Sequence, residues 1–194
     1  MKTEDHFRLA VHLKNGPLKD LPFFSKLAFI LGSVEPDINL FTYLLGWKIR
    51  FFYGHHWSNA KNYLKNKLQK TAHTQKVNWF SVGRLVHFTA DAFTYTHNSY
   101  FVGGFLKHTK YEKELHPHFI PVMTTDKTYT DKAALDLEQY VLKRHKEYML
   151  ASPSVKTDTE FILSAVNLMT NHFLQKATTN KKTATTIPRT QEII

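Results

Sequence analysis

The sequence of 194 residues contains no cysteine. Disulfide frameworks and cysteine-based zinc sites are therefore excluded, and any zinc ion must be bound by histidine and carboxylate side chains. Glycine and proline are scarce, with seven residues each, and regularly spaced turn signals of the kind found in small β-proteins are not seen. No apolar run approaches the about 20 residues that a membrane-spanning helix needs. These absences favour a helical protein without a transmembrane segment.

The signatures of several enzyme classes are also missing from the sequence. There is no HExxH zinc-protease motif, no phosphate-binding P-loop and no GxSxG nucleophile elbow. The His-Asp dipeptide of one group of metal-dependent phosphohydrolases does not occur, and neither do the paired ExxH motifs of di-iron bundles. Any catalytic metal site must therefore use a different arrangement of ligands.

Basic residues and histidines are abundant. The 26 lysines and arginines outnumber the 16 acidic residues, which gives a formal net charge of +10. Such an excess favours anionic partners: nucleic acids, anionic lipid headgroups or phosphorylated small molecules. The 12 histidines are many for a chain of this length, and metal binding would explain them.

Apolar residues recur mainly at helical spacing, which predicts an all-α protein with a single compact multi-helix domain over residues 1–176. Residues 177–194 are rich in threonine and lysine and have no periodic apolar face, so they are predicted to form a flexible C-terminal tail. Residues 32–37 are predicted to be a turn, because the position before Pro36 disfavours helical geometry. The predicted helices cover residues 4–14, 22–31, 58–70, 78–96, 108–115, 131–150 and 158–176.

Two pairs of side chains that can bind metal are each separated by one helical turn. His87 and Asp91 are four residues apart, as are His108 and Glu112, so the members of each pair share a helix face. His97 follows Asp91 by six residues, or about 240° around an ideal helix. It can join the first pair only if the helix breaks beforehand, which we expect at Thr94, Tyr95 and Thr96.

One such pair is common on ordinary helices, but two pairs with a third histidine between them predict a metal cluster. Zinc accepts imidazole and carboxylate ligands, and Asp91 could bridge two ions through its two oxygen atoms. Two neighbouring zinc ions suit the hydrolysis of a phosphate ester, because one can activate the attacking water while the other stabilises the leaving oxygen.

The run from His87 through Asp91, His97 and His108 to Glu112 resembles the core motif of the zinc-dependent phospholipase C family, whose fold is shared by zinc nucleases. The last acidic residue is Glu, as in the phospholipases, whereas the nucleases usually have Asp. The resemblance implies an all-α fold of the phospholipase C / zinc nuclease type. It also implies zinc ions in a cleft and a metal-bound hydroxide that attacks phosphorus.

Upstream segments extend this resemblance. Residues 32–37 resemble the family's glycine-to-Pro-Asp segment, and Gly54-His55-His56-Trp57 resembles its His-x-aromatic segment, with His56 as the alternative ligand. His6 matches a histidine near the start of the secreted phospholipases. Their N-terminal Trp ligand is absent here, so the resemblance implies either two or three zinc ions. The implied ligand sets are Asp37, His55, His87 and Asp91 for one zinc, His97, His108 and Glu112 for a second, and His6 with Asp91 for a third.

We therefore expect a zinc-dependent phosphoester hydrolase that acts on a phospholipid headgroup ester or a similar phosphodiester. Asp91 and Asp37 are the expected catalytic residues, with Asp37 as general base or water-orienting group. The expected partner is an anionic or zwitterionic phosphoester. One alternative is a nuclease or nucleotidase that acts on single-stranded nucleic acid with the same zinc cluster. Another is a non-catalytic, metal-stabilised binding protein.

The sequence also suggests where the protein acts. The first 16 residues include early acids and lack the apolar core of a signal peptide, which predicts a cytoplasmic protein. Residues 47–53 interleave aromatic side chains with Lys48 and Arg50, so they are expected either in the core or in peripheral contact with a membrane. Arg84 and Lys107 are candidates for steering an anionic substrate.

Overall fold

The computed structural model describes residues 1–38, 56–124 and 136–185. Within these ranges the chain forms α-helices and one short 3₁₀ turn at Tyr95–His97, and no strand. The all-α class predicted from the sequence is confirmed. The helices are α1 (Thr3–Asn15), α2 (Phe23–Ile38), α3 (Trp57–His73), α4 (Trp79–Ala92), α5 (Phe105–Thr124), α6 (Leu137–Leu150) and α7 (Val155–Thr185).

Helix α4 lies at the centre of the bundle and packs against α1, α2, α3 and α7. The side chain of Asn78, the residue before α4, caps the first turn of the helix by accepting a hydrogen bond from the Ser81 amide at 3.0 Å. From Leu85 to Ala92 every residue is buried, as expected for a helix that has neighbours on all sides. The polar residues His87 and Asp91 are therefore held inside the protein, where they need partners.

The sequence prediction for the end of α2 was wrong. The helix was expected to stop at Gly32, yet it continues through Pro36 to Ile38. Gly32 and Gly83 instead mark the point where α2 and α4 approach each other most closely: a Cβ atom at Gly32 would clash with the Phe80 carbonyl group. Tertiary packing at this crossing outweighs the local tendency of glycine and proline to end a helix.

Other boundaries also differ from the prediction. The predicted helix over residues 78–96 ends earlier, at Ala92, and the expected break before His97 is confirmed. Helix α5 is longer than predicted and passes through Pro117 and Pro121. Helix α7 runs to Thr185, nine residues beyond its predicted end. Of the predicted tail, residues 186–194 lie outside the described residues, and its flexibility stays a prediction.

The helices enclose one apolar core. Large, fully buried side chains come from most of the helices and include Leu9, Phe29, Leu85, Phe119 and Met169. None of the described helices combines the length and apolar character that crossing a membrane would require. The core lies around α4, which packs on α1 and α2.

Candidate metal centre

Five segments of the chain bring histidine and carboxylate side chains to one place. Helix α4 carries His87 and Asp91, and the break after it turns the chain so that His97 points back towards Asp91. Helices α1, α2 and α5 supply the remaining members. The structure thus gathers the predicted residues His6, Asp37, His87, Asp91, His97, His108 and Glu112.

The first group consists of His6, His87 and Asp91, all buried, with ligand atoms within 4.8 Å of one another. His6 Nε2 lies 3.1 Å from Asp91 Oδ1, and His87 Nε2 lies 3.3 Å from Asp91 Oδ2. The two imidazole rings stack with their centroids 3.8 Å apart. Asp37 borders this group, with its Oδ1 atom 3.7 Å from His87 Nε2.

The second group consists of His97, His108 and Glu112, whose ligand atoms also lie within 4.8 Å of one another. The Oε1 atom of Glu112 is 3.1 Å from His108 Nε2 and 3.7 Å from His97 Nε2. His97 Nε2 is in turn 3.7 Å from Asp91 Oδ1. The two groups therefore adjoin, and Asp91 lies between them.

A positively charged group already lies among these acceptors. The ammonium nitrogen of Met1 is 2.9 Å from Asp91 Oδ1, 2.9 Å from His97 Nε2 and 3.3 Å from Glu112 Oε1. It is fully buried, as is Asp91. A buried carboxylate requires a compensating charge, and the ammonium supplies one at a position that a metal cation could take. The arrangement of donors therefore fits a cation.

The electrostatics of the centre keep His87 and the carboxylates of Asp91 and Glu112 in the forms that bind metal. Burial and the adjacent His6 ring lower the pKa of His87 to about 4, so this imidazole is neutral at physiological pH. Burial would raise the pKa of Asp91, but the Met1 ammonium and the neighbouring histidines hold it well below its usual value. Hydrogen bonds from His108 and His97 likewise outweigh burial and lower the pKa of Glu112. Metal binding requires neutral imidazoles and ionised carboxylates.

Backbone and amide groups fix the orientation of the ligands. His87 Nδ1 lies 2.9 Å from the carbonyl oxygen of Ser33. Beside His97, the Asn98 side chain donates to the carbonyl groups of Ala92 and Thr94 at 3.1 and 2.9 Å, which closes the turn after α4. Such outer contacts hold metal ligands in place and tune their affinity.

Sequence reasoning missed three of these features. The Ser33 carbonyl group and the Met1 amine have no side-chain signature, so no motif could have identified them. His116 has no ligand spacing in the sequence, yet its Nδ1 atom pairs with the buried carboxylate of Asp5. The only signal was its position, one turn after Glu112 on the same helix.

A cleft of about 360 Å³ opens beside the second group. His97 and His108 form part of its wall, and Phe101 and Phe105 face them. His56 also lines the cleft; it caps α3 by accepting a hydrogen bond from the Ser58 amide. His97 and His108 are therefore accessible from this cleft.

Some of the predicted residues are not brought into this centre. His55, the first choice for an upstream ligand, and residues 47–53 lie outside the described residues. Arg84 forms an ion pair with Glu35, with a distance of 3.1 Å between Nε and Oε2, so its charge is directed at that carboxylate. Lys107 is exposed, and its role in steering anions stays a prediction.

The comparison with known families agrees with this geometry. A family model described as zinc dependent phospholipase C matches residues 5–155, which is most of the chain. The chain belongs to the zinc-dependent phospholipase C family. No curated protein and no solved structure matches it. Zinc-dependent phospholipases C are hydrolases, and both ligand groups of this member could hold a metal ion. The resemblance drawn from the sequence motif is thereby confirmed.

Proposed function

We propose that this chain is a zinc-dependent phosphodiesterase that hydrolyses the headgroup ester of a phospholipid. It would bind zinc through Asp37, His55, His87 and Asp91 at one position and through His97, His108 and Glu112 at a second. A third position would use His6 and Asp91. Where the Met1 amine is free, its nitrogen lies beside the same Asp91 oxygen as His6 and could supply a further donor.

The arrangement around Asp91 is the observation that carries this proposal. Its Oδ1 atom faces His6 and His97, while its Oδ2 atom faces His87. A carboxylate whose two oxygen atoms are directed at different sets of nitrogen ligands is suited to bridging two cations. A structural zinc site is usually closed, with four ligands around one ion, whereas this centre is shared by two groups and adjoins a cleft.

The donor set suits zinc, which accepts imidazole nitrogen and carboxylate oxygen. Zinc would supply activation of a water molecule at neutral pH and compensation of negative charge on the phosphoryl oxygen atoms. The protein's own part is to orient the groups around the substrate. Asp37 is the best-placed general base, because its side chain borders His87 and is 14% exposed, whereas Asp91 is fully buried. A partly exposed carboxylate can accept a proton from a neighbouring water molecule.

Hydrolysis by wild-type protein and by Asp91→Asn tests the proposal. Purified protein reconstituted with zinc is assayed on phosphatidylcholine vesicles and on single-stranded DNA. We expect release of the phosphorylated headgroup by the wild type, and a loss of at least about a hundredfold in Asp91→Asn, because an amide cannot replace a bridging carboxylate. Asp20→Asn, which removes an exposed carboxylate, serves as the matched control and should keep full activity.

The same assay separates the alternative functions. Faster turnover of single-stranded DNA than of phosphatidylcholine would favour a nuclease that uses the same zinc cluster. Zinc binding without turnover of either substrate would favour a metal-stabilised binding protein. Unchanged hydrolysis by Asp91→Asn would contradict the bridging role assigned to this residue.

A further inference from the structure

Three apolar side chains project into solvent beside the cleft. Val102 is 83% exposed, Phe105 61% and Leu106 82%, and we call these three residues the apolar rim. They lie between the 3₁₀ turn that carries His97 and the part of α5 that carries His108. Exposing large apolar side chains in water is unfavourable, and a group of them beside a functional cleft indicates a binding surface.

The apolar rim is continuous with the candidate metal centre. Phe105 belongs both to the rim and to the wall of the cleft that His97 and His108 line. A surface that engages the rim therefore comes close to the ligand groups. Exposed lysines adjoin the rim: Lys107 follows Leu106 directly, and Lys110 lies one helical turn after it on α5. The segment thus combines apolar side chains at its tip with cationic side chains next to them.

We infer that the apolar rim is the surface by which this protein docks on an anionic phospholipid bilayer. Val102 and Leu106 enter the boundary between headgroups and acyl chains, while Lys107 and Lys110 contact the phosphate groups. Apolar side chains flanked by lysines are the composition by which proteins bind membrane surfaces. This inference rests on the proposed function, because docking here would bring the lipid headgroup to the cleft beside His97 and His108.

Other occupants fit the rim less well. Three side chains are too few to bury the about 1,200 Å² that a stable pair of protein chains requires. A nucleic acid would be met by cationic side chains and by aromatic rings on which bases stack. The rim has one such ring, Phe105, whereas its two most exposed members, Val102 and Leu106, are aliphatic. A bilayer needs only a small apolar insertion supported by cationic contacts.

The test is flotation of the zinc-loaded protein with vesicles of phosphatidylcholine and phosphatidylserine, using the double variant Val102→Thr/Leu106→Gln. We expect its partitioning to the vesicles to fall at least about tenfold, since two apolar contacts are lost. Leu150→Gln is the matched control, because Leu150 is 89% exposed on another helix. This control should partition like the wild type. Hydrolysis of the water-soluble diester bis(p-nitrophenyl) phosphate should be the same in all three proteins.

Several outcomes would overturn the inference. It fails if the double variant partitions to the vesicles as strongly as the wild type. It also fails if Leu150→Gln loses as much partitioning as the double variant does. It also fails if sedimentation finds a wild-type dimer that the double variant dissociates, because the rim would then bind a second copy. A wild type that cleaves the soluble diester but does not float refutes docking and leaves the proposed function intact. Flotation that depends on the rim, without cleavage of any diester, supports docking and counts against the proposed function.

Discussion

The Nδ1 atom of His87 lies 2.9 Å from the backbone carbonyl oxygen of Ser33, a residue 54 positions earlier in the chain. A carbonyl oxygen can only accept a hydrogen bond, so Nδ1 carries the proton. In the neutral ring Nε2, which lies on the side of Asp91 and Asp37, is then left with a lone pair that a metal ion beside these carboxylates could accept. This contact selects the tautomer that a metal ligand needs. It exists because α2 and α4 cross at Gly32 and Gly83, where side chains would hold the helices apart.

Replacing Gly83 by alanine tests this crossing. The added Cβ atom would collide with the Phe29 carbonyl group and would lie 2.7 Å from the Ser33 nitrogen. Both neighbours are backbone atoms that cannot move aside alone. We expect Gly83→Ala to lower the free energy of unfolding by about 3 kcal/mol, and zinc content to fall because the Ser33 carbonyl group is displaced from His87. Denaturant unfolding and metal analysis measure the two effects.

Gly104→Ala is the control for that experiment, because a Cβ atom there meets nothing within 4 Å. It should leave both stability and zinc content unchanged. If Gly83→Ala is as stable as the wild type and retains its zinc, the helix crossing does not orient His87.

The titration of Asp158 should make the free energy of unfolding depend on pH. Its carboxylate accepts hydrogen bonds from the Tyr95 amide at 2.8 Å, the Tyr111 hydroxyl at 2.8 Å and the Tyr148 hydroxyl at 2.7 Å. Burial nevertheless raises the pKa of Asp158 to about 6 from an ordinary 3.8. Between these two pH values the folded state holds a proton that the unfolded state releases. This group's contribution to stability is therefore complete below pH 3.8 and is lost as pH rises through about 6.

The variant Asp158→Asn removes this titration. The difference in unfolding free energy between wild type and variant should change by roughly 2 kcal/mol from pH 4 to pH 6, with the wild type losing stability as pH rises. Unfolding in denaturant across that range measures it. A difference that stays constant with pH would show that Asp158 titrates alike in the folded and unfolded states.

The titration of His145 should lower the free energy of unfolding as pH falls, in contrast to that of Asp158. It is buried, its Nε2 atom lies 2.8 Å from Asn98 Oδ1, and its ring stacks on Trp57 at a centroid distance of 3.6 Å. Burial and the charge of Lys61 lower the pKa of His145 to about 4 from an ordinary 6.5. As pH falls from 6.5 to about 4, His145 binds a proton in the unfolded state but stays neutral in the folded state. Stability from this group is therefore present above pH 6.5 and declines on acidification.

The variant His145→Gln keeps a side chain that can bond to Asn98 but cannot titrate. As pH is lowered from 6.5 to 4, the unfolding free energy of the variant should fall less than that of the wild type. The difference between the two decreases should reach up to about 3 kcal/mol. Thermal unfolding over this range, with both proteins at equal zinc concentration, provides the comparison. Parallel curves for the two proteins would refute a depressed pKa at His145.

Local spacing in the sequence accounts for much of the centre. His87 and Asp91 share a face because they are four residues apart on one helix, and His97 reaches Asp91 because the chain breaks between them. Both features depend on neighbouring residues only, so a sequence can reveal them. The pairing of His108 with Glu112 follows the same rule.

Contacts between distant segments could not be predicted in this way. Gly32 and Pro36 carry local signals for a turn, yet α2 continues past both because its packing on α4 is more favourable. The position of Asp37 beside His87 follows from that packing. The Met1 amine and the Ser33 carbonyl group are backbone groups, and a residue pattern carries no information about them.

Zinc content per folded chain tests most directly whether Asp91 joins two metal positions. Wild-type protein is saturated with zinc, freed of excess metal and analysed by mass spectrometry, alongside Asp91→Asn and the surface variant Asp20→Asn. We predict two or three zinc ions per chain in the wild type and in Asp20→Asn, and a clear loss of zinc in Asp91→Asn. A folded wild-type chain that retains no zinc, or an Asp91→Asn variant that retains all of it, would contradict this claim.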